Sequence, residues 1–82
     1  MPESWDSPEG AALAGWREAQ SANPLVVRVD IRGHRAEVVI DTTPSYLDYV
    51  YCIERDGRWR EVVSGNGPCV GWDDPDKMEW EW

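Results

Sequence analysis

Side chains that could carry out acid–base or nucleophilic chemistry are few in this chain of 82 residues, and they are widely separated. His34 is the only histidine, and it falls in a predicted hairpin turn. A catalytic histidine needs an orienting acid and a substrate pocket, and a hairpin tip rarely supplies either. Cys52 is predicted within a strand and Cys69 in a distant loop, so no base is expected beside either thiol. The sequence therefore predicts no catalytic residues, and we expect the protein not to be an enzyme.

Metal ligands are also not arranged at characteristic spacings. One histidine and two isolated cysteines do not match the spacing of a zinc site. Asp73, Asp74 and Asp76 crowd into one loop, where carboxylate oxygens could hold a hard cation such as Ca²⁺ or Mg²⁺. The glycine and the closing glutamate of an EF-hand loop are missing at the required offsets. A solvated acidic turn is therefore the favoured interpretation, with no metal and no cofactor.

Tryptophan near the chain ends is the feature that departs most from an average domain. The chain has six Trp and no Phe, so Trp16 and Trp59 are expected to serve as core aromatics. The others lie among acids, where an exposed indole offers a large rigid contact area and carboxylates steer a cationic partner. The predicted partner-binding residues are Trp72, Asp73, Asp74, Asp76, Trp80 and Trp82. Three uses of these residues stay open: binding of a basic protein surface, homodimerisation, and packing within the chain.

The charge balance restricts the classes of partner. Sixteen acids face eight Lys and Arg, which gives a formal net charge of -8. Nucleic acid and anionic membrane are not expected as partners, because phosphate binding requires Lys and Arg. The longest apolar run, 25–29, is interrupted at Arg28, and it is far shorter than a membrane span. The N-terminus does not resemble a secretory signal, so we expect a cytoplasmic protein with free thiols at Cys52 and Cys69. The alternative is one disulfide between them, which would require that a secretory signal had been removed.

Local signals define the predicted elements. Ser7-Pro8-Glu9 is a typical helix start, and it predicts a helix over 8–21. Apolar alternation predicts a hairpin around Gly33, with Val38 on its buried side and Val39 on a more tolerant side. Asp56-Gly57 predicts the turn of a second hairpin. The predicted strands are 25–31, 36–41, 47–55 and 58–64, with a possible fifth edge strand at 77–82.

Together these elements predict a single domain over 1–82 of the α+β class, in which one N-terminal helix packs on a four- to five-stranded antiparallel sheet built from two hairpins. Large apolar residues on both sides of the third strand predict cover on each face. The face opposite the helix is expected to be covered by the C-terminal tail or by another subunit. We expect a non-enzymatic acidic binding protein, for example an immunity protein, antitoxin or phage-type inhibitor. The alternative is a small-ligand-binding domain or enzyme subunit, with an aromatic pocket between sheet and helix lined by Tyr49, Tyr51 and Trp59.

Overall fold

Over the residues that the structure describes, one helix is followed by a four-stranded antiparallel meander. A computed structural model describes residues 4–19, 25–43 and 46–82 of the chain. The elements are α1 (Pro8–Ala19), β1 (Leu25–Arg32), β2 (Arg35–Thr43), β3 (Tyr46–Arg55) and β4 (Arg58–Gly65), and the strands lie in the order β1-β2-β3-β4. The predicted α+β class is confirmed, and each of the four strands lies within two residues of its predicted bounds. The last two residues of the predicted helix, 20 and 21, lie outside the described residues.

Two turns with positive φ set the register of the sheet. Gly33 has a φ of 63°, and it joins β1 to β2 through a two-residue turn that leaves Arg32 opposite Arg35. Asp56 and Gly57 have φ values of 54° and 80°, which join β3 to β4 through a second two-residue turn. Both turns are where the sequence predicts them, because Gly and Asp tolerate this region of φ better than other residues.

The segment before α1 is fixed by capping and by the outer edge of β4. Ser7 is the N-cap, since its Oγ accepts a hydrogen bond from the Gly10 backbone N–H at 3.1 Å. Trp5 forms an isolated bridge with Trp59, with N···O distances of 2.9 and 2.7 Å. Arg58 donates to the Ser4 carbonyl at 2.6 Å. The N-terminus therefore occupies part of the edge that β4 would otherwise offer to another strand.

The main core lies between α1 and one face of the sheet, called here the helix face. The predicted core role of Trp59 is confirmed, since its side chain lies in this core. The side chain of Trp16 lies outside the described part of the chain. The buried residues of this core are Ala11, Ala12, Ala36, Val38, Ile40, Val50, Cys52 and Trp59.

The opposite face of the sheet, called here the second face, is also buried at its centre. Val39 is 4% exposed and Glu37 is equally buried, although the sequence pattern places both on a solvent-tolerant side of β2. Tyr51 and Ile53 of β3 are buried on the same face. The expectation that Val39 is more tolerant than Val38 is therefore wrong, because β2 is an inner strand with cover on both sides. The C-terminal tail covers this second face, which is the first of the two predicted alternatives.

The predicted fifth strand at 77–82 is not formed. These residues lie after a series of turns and have no strand conformation. The Trp80 N–H bonds locally to the Met78 carbonyl at 3.1 Å, so this backbone turns back on itself. Alternation of Met78, Trp80 and Trp82 with charged residues resembles an edge strand in sequence, but here the indole of Trp80 packs on a face of the sheet.

Both cysteines are free thiols, as predicted. Cys52 is buried on the helix face, and burial, assisted by the negative charge of Glu61, raises the pKa of its thiol to about 12. Its Sγ lies 3.7 Å from the Pro8 carbonyl at the start of α1. Cys69 is half-buried in the C-terminal tail.

Glu61 and Asp48 form an unfavourable carboxylate pair, and Glu61→Gln is expected to stabilise the protein at neutral pH. Desolvation, followed by the charge of Asp48, raises the pKa of Glu61, and desolvation raises the pKa of Asp48. A raised carboxyl pKa means that folding is favoured by the protonated form, so stability falls as pH rises through that pKa. Because Glu61 remains partly in solvent, we expect a gain of about 0.5 kcal/mol, or roughly 2–4 °C in Tm.

Thermal unfolding of Glu61→Gln across a pH series checks this expectation. The gain should disappear below about pH 4, where the wild-type carboxyls become protonated. Glu79→Gln removes the same charge from an exposed position and measures the contribution of net charge alone. An equal gain in both variants, or a gain that persists in acid, would contradict the role assigned to the pair.

Candidate functional site

The candidate site is built by residues 66–82, called here the C-terminal segment, which folds over the second face of the sheet. The segment leaves the end of β4 and reaches β1, where Asp73 forms an ion pair with Arg32 at 2.9 Å. It then returns toward β4, where Glu79, Trp80 and Glu81 line a groove with residues of that strand. A segment without helix or strand structure therefore crosses the second face from β4 to β1 and returns.

Tyr51 of β3 is the centre of these contacts. Its ring lies 5.8 Å from the ring of Trp72 and 5.9 Å from the ring of Trp80, both in tilted geometry. Its hydroxyl accepts a hydrogen bond from the Cys69 backbone N–H at 2.7 Å and donates one to Glu37 at 2.9 Å. Burial, together with the Glu37 carboxylate, raises the pKa of Tyr51 to about 12. One side chain thus binds the segment through both its ring and its hydroxyl.

Glu37 is a buried carboxylate whose charge is compensated from two sides. It is 4% exposed on β2, and it accepts hydrogen bonds from Tyr51 and from the guanidinium of Arg28 on β1. A buried carboxylate is costly unless it is paired and hydrogen-bonded, and these two donors meet that requirement. A series of hydrogen bonds through Arg28, Glu37, Tyr51 and Cys69 therefore connects β1 to the C-terminal segment.

Two arginines at the end of the first hairpin hold the segment by its carbonyls and its indoles. Arg35 donates to the Trp72 carbonyl at 3.0 Å and to the Met78 carbonyl at 2.5 Å, with its guanidinium 4.5 Å from the Trp80 ring centre. Arg32 lies 5.5 Å from the Trp72 ring centre. A guanidinium placed over an aromatic ring is attracted by the negative charge of the ring face. The hydrogen bond from Arg32 also lowers the pKa of Asp73.

Tight turns shape the acidic part of the segment. Gly71 has a φ of 87°, and a Cβ at this position would lie 2.9 Å from the Lys77 side chain. Asp74 accepts the backbone N–H of Asp76 at 2.9 Å through its side chain, and its carbonyl accepts the N–H groups of Lys77 and Met78. The three predicted aspartates therefore lie in one ordered turn, although they differ in their contacts.

The structure divides the six predicted site residues into two groups. Trp72 is 7% exposed and packs inward, and Trp80 is half-buried beside it on Tyr51. Asp76 is exposed, Asp74 and Trp82 are half-buried, and Asp73 is partly exposed in its ion pair with Arg32. Arg32 and Arg35, which position this segment, were not predicted as site residues, and Tyr51 was predicted only as part of an aromatic pocket. The arginine pair flanking a predicted turn was the available signal, but its partners are more than 35 residues away along the chain.

The alternative aromatic pocket between sheet and helix does not form from the residues predicted for it. Tyr51 lies on the second face, whereas Trp59 lies in the core under α1. Tyr49 alternates with Val50 along β3, which places it on the same face as Tyr51. The space between α1 and the sheet is filled by Trp59 together with small and aliphatic side chains. The prediction of one pocket lined by these three aromatics is therefore wrong.

Two open clefts border the C-terminal segment. One of about 410 Å³ lies between β4 and residues 79–81. Another cleft of about 260 Å³ is lined by Trp80, Trp82 and His34. The Nδ1 atom of His34 lies 2.6 Å from the Glu54 carboxylate. The His34 side chain is 83% exposed, in agreement with its predicted place in a turn. An orienting acid is thus present beside the histidine, contrary to what a hairpin tip usually supplies.

Within residues 4–19, 25–43 and 46–82, no group of three His, Cys, Asp or Glu side chains is arranged to hold a metal ion. Over the same ranges, no helix is long and apolar enough to cross a bilayer. Comparison with protein-family models, curated proteins and solved structures finds no match.

Proposed function

We propose that the protein is a non-catalytic binding module that presents the acidic outer side of its C-terminal segment to a basic surface of a partner protein. An immunity protein, antitoxin or phage-type inhibitor acts in this way. The observation that carries the proposal is that the segment has five acids and one Lys and is fixed on the sheet through Tyr51. Such a surface combines a strong local charge with a defined shape.

Two properties of the segment favour binding. Its outward acids include Asp76, Glu79 and Glu81, which are exposed, and opposite charge on a partner accelerates encounter by about tenfold or more. Its inward groups, Trp72 and Trp80, are already packed on Tyr51, so little conformational entropy is lost on contact. In this proposal the buried tryptophans position the surface, and the acids with half-buried Trp82 contact the partner.

The compartment follows from the same chemistry. We place the interaction in the cytoplasm, because the two thiols are free and a reducing environment keeps them so. The partner is a protein with clustered Lys and Arg, since nucleic acid and anionic lipid carry the same sign of charge as this surface.

Neutralising the acidic surface is expected to slow partner association. The partner is first captured from extract of the source cells, identified by mass spectrometry, and purified. Association is then measured by stopped flow for the triple variant Asp76→Asn, Glu79→Gln, Glu81→Gln. We expect the association rate constant to fall at least about tenfold at low ionic strength, with a flatter salt dependence and a smaller change in dissociation rate.

A matched variant separates this surface from net charge. Glu9→Gln, Asp41→Asn and Asp56→Asn remove the same charge from other elements and should slow association by less than about threefold. An equal loss in both triple variants would overturn the proposal, as would a captured partner that has no basic surface. Unchanged association and dissociation rates for the triple variant of the C-terminal segment would also overturn the proposal.

A further inference from the structure

β1 is an outer strand of the sheet, and it exposes apolar side chains along its length. Leu25 and Val27 are exposed, and Ile31 is 54% exposed although it lies on the helix face opposite Ala36. Val29, two residues earlier, packs in part against the main core. Exposed apolar residues on an outer strand are unusual in a monomer, because unpaired N–H and C=O groups there already favour association.

The direction of the free backbone groups follows from the first hairpin. Arg32 and Arg35 flank a two-residue turn, so this pair exchanges hydrogen bonds. Hydrogen bonding alternates along an antiparallel pair, and Asp30 therefore also bonds toward β2. The N–H and C=O groups of Val29 and Ile31 consequently point away from the sheet, along an edge with which no other strand of the described residues pairs.

We infer that β1 pairs antiparallel with β1 of a second copy of this chain, about a two-fold axis at Val29. In this register Val29 faces the partner's Val29, and the outward backbone groups of each supply the hydrogen bonds. Arg28 then faces the partner's Asp30, and Ile31 reaches the bulge at the partner's Val27. The two four-stranded sheets become one continuous sheet of eight strands, and the same contacts occur twice because the interface is isologous.

Charge selects this register over its neighbours. A shift of the pairing in one direction sets Arg28 against the partner's Arg28, and a shift in the other sets Asp30 against the partner's Asp30. Like charges directly opposite one another destabilise a strand pair, whereas opposite charges stabilise it by about 0.2–1 kcal/mol. Arg28 is 59% exposed in spite of its bond to Glu37, so its remaining donors are available to the partner's carboxylate.

The side-chain faces of β1 are also self-complementary. Val29 and Ile31 lie opposite Val38 and Ala36 on the helix face, so the two copies join these aliphatic side chains into one strip. The second face carries the alternating charges of Arg28 and Asp30. A bulge at Val27 ends the regular edge, which limits the regular pairing to residues 28–30 and leaves Ile31 beside the partner's bulge.

Net charge is smallest in this part of the chain. Residues 24–63 carry seven acids and six Arg, whereas the sections before and after them hold a net charge of -3 and -4. β1 itself has two Arg and one Asp, for a local charge of +1. Two copies of an acidic protein repel each other least when they meet at such a surface, and added salt screens the remaining repulsion. This pairing is independent of the acidic surface proposed for partner binding.

Sedimentation of the full chain over a concentration series tests the pairing. We expect a monomer–dimer equilibrium in which Ile31→Lys raises the dissociation constant at least about a hundredfold, because symmetry repeats the substitution in both halves. Val63→Lys alters a similarly exposed valine on β4 and should leave the dimer unchanged. A wild-type chain that stays monomeric at every concentration, or an Ile31→Lys variant that still dimerises, overturns the inference.

Mixing two variants tests the register. Val29→Lys and Val29→Glu should each fail to dimerise alone, and an equimolar mixture should form a heterodimer, because residue 29 of one copy faces residue 29 of the other. A mixture of Ile31→Lys with Ile31→Glu should remain monomeric, since residue 31 does not face residue 31 of the other copy in this register. Circular dichroism of each variant confirms that it is folded. The reverse result for the two mixtures overturns the register, and therefore the two-fold pairing at Val29.

Discussion

Val38→Asp is expected to unfold the domain, and Val39→Asp is expected to do nearly the same. Both valines are buried at the centre of the sheet, Val38 under α1 and Val39 beneath the opposite cover. An unpaired carboxylate at either position loses its hydration, which costs more than about 4 kcal/mol. A domain of this length has a total stability of about 4–12 kcal/mol. Denaturant titration followed by circular dichroism measures both losses.

Val70→Asp is the matched control, since it introduces the same group at a valine that is 87% exposed. Its stability should stay within about 0.5 kcal/mol of the wild type. A mild effect of Val39→Asp beside a severe effect of Val38→Asp would mean that the second face is open to water. In that case the C-terminal segment would not cover the sheet in solution.

The contrast between Val38 and Val39 shows which structural features local sequence patterns can predict. Alternation locates the strands, because side chains of successive residues point to opposite faces. Gly33 and Asp56-Gly57 locate the turns, because few residues tolerate positive φ. These signals act over a few residues, and they were sufficient for the helix start, four strands and their order.

The cover on the second face depends on contacts that no local pattern records. Glu37 looks like a solvent-facing residue of an alternating strand, and its burial depends on Arg28 and Tyr51 from two other strands. The tail likewise resembles an edge strand in sequence, but Tyr51 and Arg35 hold Trp80 against the sheet. Large apolar residues on both sides of β3 did predict that a cover exists. They did not determine which residues form it.

Trp72→Ala is expected to release the C-terminal segment from the sheet. The substitution removes the ring that packs on Tyr51 and lies beside Arg32, and truncation of a buried Trp costs about 3–5 kcal/mol. Because Tyr51 then regains water, its pKa should fall from about 12 toward the ordinary value of about 10. The thiol of Cys69 should also react faster with a labelling reagent, while Cys52 stays protected in the folded fraction.

The direction of the pH effect distinguishes release of the segment from a general loss of stability. A phenol whose pKa is raised by folding adds stability below about pH 10, and that stability is lost as pH rises toward about 12. Wild-type stability should therefore fall over this range, and Trp72→Ala should show a smaller fall. Tyrosinate absorbance in a background of Tyr46→Phe and Tyr49→Phe follows Tyr51 alone.

Trp82→Ala supplies the control, because Trp82 is half-buried at the tail end and lines the cleft beside His34. We expect it to cost about 1 kcal/mol and to leave the pKa of Tyr51 and the labelling of Cys69 unchanged. If Trp72→Ala lowered stability without moving either readout, Tyr51 would remain covered, and another contact would hold the segment. Because the acidic surface is ordered only while the segment stays on Tyr51, the same variant should also weaken partner binding, whereas Trp82→Ala should weaken it only through lost contact area.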